Sequence, residues 1–239
     1  MIRKIGILTS GGDSPGMNAA VVSVARCAAM NGIQLMGIKR GYNGLLGLSK
    51  NPEDDICALD LETVLDIADQ RGTFLRTARC VEFKQPEVRR QAAENLRQLG
   101  IDALVVIGGD GSFTGAMYLC ELGIPCVGIP GTIDNDLGYT EATLGYDTAV
   151  NVCVEAVRSI RATSRSHDRP HVVQVMGRNC GDIAMKTAMA TGAEMLIVPE
   201  VEWDVDEVAA RLNCLIEQGN TRATLVISEH CWDNMKPFD

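Results

Sequence analysis

Residues 103–136 read ALVVIGGDGSFTGAMYLCELGIPCVGIPGTIDND, and the order of residue types in this stretch sets the class of fold. An apolar run, Ala103–Ile107, stops at a glycine pair. A helix-like run from Phe113 to Leu122 closes on Gly123, and a second apolar run, Cys126–Ile129, stops at Pro130 and Gly131. Strand, crossover helix and strand in this order predict parallel pairing, because parallel neighbours need a crossover rather than a tight turn.

The alternation extends in both directions. Towards the N-terminus lie KIGILT (4–9), AAVVSVARCAAMNG (19–32), IQLMGIK (33–39), the helical pattern ETVLDIAD (62–69) and VRRQAAENLRQLG (88–100). Towards the C-terminus follow AVNVCVEAVRSIRAT (149–163), HVVQVMG (171–177), DIAMKTAMATG (182–192), EMLIVPE (194–200), VDEVAARLNCLIEQG (205–219) and ATLVISE (223–229). In the segment Gln85–Gly100, Val88, Ala92, Leu96 and Leu99 form an amphipathic stripe closed by a C-terminal glycine. The strands are short and nearly unbroken in apolarity, which predicts that both faces of the sheet are covered. The stretch from Gly138 to Ala149 carries glycines and few aliphatic residues and reads as a crossover between two lobes.

With 239 residues, 46% of them hydrophobic, the chain can bury the core of one large or two small domains. A net charge of −9 disfavours nonspecific attraction to nucleic acid or to an anionic membrane, so any bound phosphate must be held by local positive charge. The opening MIRKIGILTSGG offers too short an apolar stretch for a secretory signal, and no apolar run approaches the length that spans a bilayer. Nine cysteines, an odd count without a C-x-x-C, include Cys27, Cys120, Cys153 and Cys214 in apolar helical runs. They read as small buried thiols in a reducing cytosol.

Open parallel sheets bind ligands beyond the carboxyl ends of their strands, and three such loops look alike. They are LTSGGDSPGMN (8–18), Gly108-Gly109-Asp110-Gly111-Ser112, and Pro130-Gly131-Thr132-Ile133-Asp134-Asn135-Asp136. One loop of this kind is more simply a tight turn, but three at one rim point to a ligand. Gly12-Asp13-Ser14-Pro15-Gly16 has the spacing of a hydrolase nucleophile elbow, yet Pro15 lacks the N–H that the oxyanion hole would need. The other reading is an anion cradle of bare backbone N–H groups at a helix start.

Walker and protein-kinase motifs are absent, and Thr114 stands where G-x-G-x-x-G needs its last glycine. Phosphoryl transfer nevertheless asks mainly for positioning, charge neutralisation and a carboxylate near the attacking hydroxyl. Asp110, between glycines, suits a magnesium ion; Asp134 and Asp136, two apart, would share a face of an extended segment, one as base and one orienting it. For that pair an Asx-turn including Asn135 is the structural reading. Arg79 and Arg178 follow glycine-containing segments, and Arg158, Arg161, Arg165 and Arg169 crowd into twelve residues; forked guanidinium groups suit phosphate oxygens, and a solvated helix face explains Arg158 and Arg161 equally well. Glu229 ends an apolar run, where it would accept sugar hydroxyls or form a salt bridge, and the three histidines have no metal-ligand spacing.

With these residues in hand, the chain resembles the bacterial ATP-dependent 6-phosphofructokinases from Lys4 to about His230, through TSGGDSPGMNAA, RGTFLRTAR, GIDALVVIGGDGS, PGTIDND, SHDR, VQVMGR and SEH. The resemblance implies an α/β, doubly wound fold of mostly parallel sheets in two similar lobes. Residues 1–138 would form the larger, nucleotide-binding lobe, and 139–239 the smaller sugar-phosphate lobe, incomplete at the C-terminus. It implies a cytoplasmic homotetramer that phosphorylates the 1-hydroxyl of fructose 6-phosphate with ATP and Mg2+. Asp134 would be the base, Asp110 the magnesium ligand and Asp136 an electrostatic support. Gly12 and Arg79 would steady the transferring phosphoryl group, while Tyr42, Cys80, Gly109, Gly111 and Ser112 complete the nucleotide site. Thr132, Ile133, Met176, Gly177, Arg178 and Glu229 would hold the sugar phosphate, with Thr132 and Arg178 also serving catalysis, and Arg169 would reach the 6-phosphate of a neighbouring subunit.

The family's pyrophosphate-dependent branch typically carries aspartate at Gly111 and lysine at Gly131, so glycines at both imply ATP. Two departures stand out. Val22, Leu61 and Asn220 replace basic residues of the family's effector site, although Arg26 and Arg161 remain. The chain also ends at DNMKPFD, where the family continues with an arginine and histidine cluster for the sugar phosphate. A non-catalytic nucleotide-binding form and a pyrophosphate-dependent phosphofructokinase are the alternative expectations.

Overall fold

β1 (Lys4–Thr9) lies in the middle of a sheet between β2 (Gln34–Ile38) and a strand from far along the chain, and the alternation of its side chains builds the core on both sides. The computed structural model describes residues 2–48 and 54–236. It divides into two units, one of Met1–Thr132 with Leu137–Gly145, the other of Ile133–Asp136 with Tyr146–Asp239.

In unit 1, β3 (Ile56–Ala58) pairs antiparallel with β2, while β4 (Ala103–Gly108), β5 (Cys126–Thr132) and the two-residue β6 (Leu144–Gly145) extend the sheet in parallel on the other side of β1. The order β3-β2-β1-β4-β5-β6 reverses its winding between β1 and β4, which is the switch point where such sheets bind ligands. Ile7 and Ile107 face one core with Val21 and Val22 of α1 (Met17–Met30), whereas Leu8 and Val106 face the other with Ala92 and Leu96 of α4 (Pro86–Gln98) and Leu119 of α5 (Asp110–Glu121). All four stripe residues of α4 face this second core, Ala92 and Leu96 fully buried and Val88 and Leu99 at its margin. The short helices α2 (Tyr42–Leu45) and α3 (Leu61–Val64) complete the unit.

The run 62–69 breaks: α3 gives way to a 3-10 turn at Leu65–Ile67. Val64 and Ile67 are both buried, and a tighter helix aligns residues three apart. The covered-faces expectation holds for β1 and β4 but fails at β5, where Val127 is 64% exposed.

Unit 2 contains α6 (Tyr146–His167), β7 (His171–Val175), α7 (Asp182–Thr191), β8 (Met195–Ile197), α8 (Val205–Glu217) and β9 (Thr224–Ser228). Its three-stranded parallel sheet has the order β7-β9-β8. Val175 and Val226 pack with Tyr146, Ile183, Ala184 and Ala188, and Leu225, Ile227 and Ile197 pack with Cys231 on a second cluster. Coverage is again partial, since Val172 on β7 is 68% exposed and α8 buries no residue. All nine cysteines are free, but only Cys231 is buried, and Cys27 and Cys120 are exposed, so the buried-thiol expectation is corrected. Among the described residues no helix is long and apolar enough to cross a membrane.

Candidate active site

In unit 1 the first two glycine loops meet at the switch point. The loop after β1 runs into α1, whose N-cap Gly16 sits at φ 88° without a side-chain cap; the loop after β4 runs into α5, whose N-cap Gly109 is also uncapped. Two helix N-termini thus present N–H groups and the positive ends of their dipoles at neighbouring strands. Ser112 Oγ donates to Ser10 O at 3.1 Å, stitching the loops together. A Cβ at Gly108 would lie 2.6 Å from Ser10 O, so only glycine permits this approach. A Cβ on Gly12 or Gly111 would meet nothing within 4 Å, so both loops border open space. Thr132 ends β5 next to Gly109, whose Cβ position is 3.6 Å from Thr132 Cβ.

Asp110 opens α5 and is exposed, a favourable place for negative charge and for a cation carried by phosphates. Among the described residues no group of three or more His, Cys, Asp or Glu is arranged to hold a metal. A single carboxylate fits magnesium, which takes one or two carboxylates and leaves its other positions to water and phosphate.

The segment 70–79 is fastened along the cradle. Thr9 Oγ1 donates to Arg76 O at 2.7 Å, Gly11 N to Ala78 O at 3.3 Å and Thr77 Oγ1 to Gly11 O at 3.0 Å. Thr73 Oγ1 donates to Asp13, and Asn18 binds Gln70 O, Gly72 O and Phe74 N. This zipper delivers Arg79, exposed, with its carbonyl accepting from Asn43 Nδ2 at 3.2 Å. Sequence reading missed Thr9, Thr73, Thr77 and Asn18, because an isolated polar residue gives no sign of a partner some sixty positions away.

Tyr42 is 3% exposed, stacks on Phe83 with centroids 4.0 Å apart and donates its hydroxyl to Ser112 O at 2.7 Å. Burial, with smaller contributions from Cys126, Cys120 and Cys80, drives its pKa well above the usual tyrosine value. Its side chain braces the first turn of α5 from within the core. Cys80 is half-buried beside Glu82. Ser14 is 3% exposed and donates to Leu144 O, so it is not presented as a nucleophile and the elbow reading falls.

In unit 2, Ile133, Asp134 and Asp136 belong to the short first stretch. Asn135 between the two aspartates has φ 54° and donates to Asp182 Oδ2 at 3.0 Å. A left-handed residue breaks the two-residue alternation, so the expectation that Asp134 and Asp136 share a face of an extended segment is corrected to a turn. At the carboxyl ends of the neighbouring strands β7 and β9, Glu229 Oε1 accepts from Gly177 N at 3.1 Å and Arg178 N at 2.8 Å. Gly177 has φ 143° and Arg178 φ 57°. A Cβ at Gly177 would come 2.5 Å from Cys180 O, so the turn requires glycine. Met176 is 59% exposed beside it. Arg169 precedes β7 at its opposite end, roughly 17 Å or more away at about 3.3 Å per residue.

These features place the chain among doubly wound α/β proteins, with two uncapped helix N-termini at the switch point of the sheet. A family model described as phosphofructokinase matches residues 4–237, and the chain belongs to that family. It is 50% identical over 228 residues to ATP-dependent 6-phosphofructokinase 1 of Clostridium perfringens and 51% identical to the ATP-dependent 6-phosphofructokinase of Clostridioides difficile; each match covers 95% of this chain and 70% of the relative. The crystal structure of Pichia pastoris phosphofructokinase in the T-state superposes with a TM-score of 0.84 at 36% identity, covering 96% of this chain and 26% of that one.

Proposed function

We propose that this chain is an ATP-dependent 6-phosphofructokinase that transfers a phosphoryl group from ATP to the 1-hydroxyl of fructose 6-phosphate, a glycolytic step. The observation that carries the reading is the pair of uncapped helix N-termini, α1 and α5, at the switch point of unit 1, with open space at Gly12 and Gly111. Backbone N–H groups there, with Arg79, Gly109 and Ser112, bind and orient the triphosphate and need no reorganisation as charge develops. Mg2+ held near Asp110 supplies neutralisation of phosphate charge when bound. Asp134 takes the proton from the sugar hydroxyl, and Asp136 supports that loop. Thr132, Ile133, Met176, Gly177, Arg178 and Glu229 position the sugar phosphate; Glu229 does so by fixing the 177–178 turn and has a second carboxylate oxygen for a sugar hydroxyl.

ATP rather than pyrophosphate is the proposed donor. The support is the open space at Gly111; at Gly131 the expected room is absent, since a Cβ there would lie 2.9 Å from Ile107 Cγ2 and 3.3 Å from Met17 Cε, so packing accounts for that glycine. Arg169, at the wrong end of β7 for its own chain's Arg178, supports a homotetramer in which it serves a neighbour, and the cytoplasm is the proposed compartment. The family's phosphate effector site is proposed not to operate: Val22 is 2% exposed in the core, and Arg161 is occupied by Glu194 through two contacts of 3.2 Å.

The test is a coupled assay with Mg2+, fructose 6-phosphate and either ATP or pyrophosphate, with fructose 1,6-bisphosphate as the measured product. Product with ATP alone supports the proposal. Product with pyrophosphate alone overturns the donor assignment, and nucleotide binding without product from either donor favours a binding-only chain.

A further inference from the structure

We propose that Asp182, the first residue of α7, is a positioning residue that fixes the loop carrying Asp134 and ties it to the 176–178 turn. The inference rests on the reading of Asp134 as the base and deepens it. The loop is fastened on both sides of Asp134. Ile133 packs on the buried cluster that holds Tyr146, Ile183 and Val226, so the residue before Asp134 and the residue after Asp182 share one core. Asn135, at φ 54°, donates from Nδ2 to Asp182 Oδ2 at 3.0 Å. A left-handed backbone is costly for a residue with a Cβ and persists where its surroundings hold it, and a hydrogen bond to a carboxylate is among the stronger ones.

Asp182 is itself firmly placed. Gly181 is the N-cap of α7, its N donates to Glu200 Oε1 at 2.7 Å, and a Cβ there would lie 2.5 Å from Val198 Cβ. Cys180 N donates to Gly177 O at 2.9 Å, and Glu229 accepts from Gly177 N and Arg178 N. A continuous path of hydrogen bonds and backbone therefore runs from Glu229 and the 177–178 turn through residues 180–182 to Asn135. A base works only within hydrogen-bond reach of the proton it removes, and a misplacement of about 1 Å can cost ~10²-fold in rate. At the start of α7 the Asp182 charge also complements the helix dipole, a role that stabilises the helix without acting on Asp134.

Asp182→Ala and Asp182→Asn separate the two roles. Both remove the charge, but asparagine keeps an oxygen that can accept from Asn135 Nδ2. In the coupled assay with Mg2+, ATP and fructose 6-phosphate, Asp182→Ala should lower kcat by about 10- to 100-fold with the KM for ATP unchanged, and Asp182→Asn should recover to within about threefold of the parent. In the Asp134→Ser background, Asp182→Ala should lower the residual rate no further, because the group it positions is gone. Equal losses in the two Asp182 variants, or an undiminished loss beside Asp134→Ser, would overturn the proposal. Hydrogen exchange followed by mass spectrometry reads the fastening without turnover: Asp182→Ala should quicken exchange across residues 133–136 while β1 and β4 keep their protection, and unchanged exchange there would overturn the proposal as well. A parent chain that makes no fructose 1,6-bisphosphate from either donor refutes the proposed function instead, and the exchange result then decides whether Asp182 holds the loop.

Discussion

Asn18 sits in the first turn of α1 with 4% exposure, and its amide serves one segment of chain: Nδ2 donates to Gln70 O at 3.1 Å and Gly72 O at 2.8 Å, and Oδ1 accepts from Phe74 N at 2.7 Å. Replacing it with alanine strands three backbone groups, so Asn18→Ala should cost about 1–3 kcal/mol in denaturant unfolding. Amide exchange should quicken over residues 70–79 while β1 and β4 keep their protection. Unchanged exchange in that segment would mean that Thr9 and Thr77 hold it without help. At Asp134 the expectation concerns rate. Asp134→Ser removes the proposed base and should lower turnover by about 10²–10⁴-fold in initial-rate assays, with ATP affinity by calorimetry nearly unchanged. Asp134 could be singled out as a candidate because it stands in one loop with glycine, threonine and two further polar acids or amides, PGTIDND; Asn18 could not, because its partners lie some fifty residues away.

Elements of unit 2 are tied by Glu194, between α7 and β8. It pairs with Arg161 of α6 and accepts from Thr224 N at the start of β9 at 2.7 Å and from Asn220 Nδ2 at 3.3 Å. Burial pushes its carboxyl upward, but the Thr224 N–H, the Asn220 amide and the Arg161 charge outweigh that and hold it below its ordinary value. A lowered folded pKa gives stability that is present above the unfolded value of about 4.3 and lost as pH falls through the folded one. Glu194→Gln should therefore destabilise the chain at neutral pH by on the order of 1–2 kcal/mol. The gap to the parent should close in melts below about pH 4, and a pH-independent gap would assign the loss to packing instead. The order of strands and helices was readable because each apolar run ends in glycine, proline or a polar turn. β3 and β6 were not, since three and two residues carry no periodicity and exist only through their partners. The sheet order and the open face at Val127 were also beyond local pattern, being set by which strands lie side by side.

The whole chain joins two units of unequal construction. Unit 1 has apolar clusters on both faces of six strands, whereas unit 2 has three strands, a helix α8 with no buried residue and Val172 largely exposed. Less apolar area removed from water gives less to set against chain entropy, so unit 2 should unfold first. The sequence supplies a separate probe, because both of its tryptophans, Trp203 and Trp232, lie in unit 2 with ring centroids 5.3 Å apart. Tryptophan emission should therefore change at lower urea than the helical circular dichroism signal, which reports both units. Nucleotide should then act on one transition selectively. The proposed cradle belongs to unit 1, and a ligand at a hundred times its Kd stabilises the state that binds it by about 2.7 kcal/mol. Mg2+ and ATP should move the later, circular dichroism transition to higher urea and leave the tryptophan midpoint in place. A tryptophan midpoint that moves equally would require nucleotide binding to draw on unit 2, and coincident transitions without nucleotide would show that the two units fold as one cooperative body.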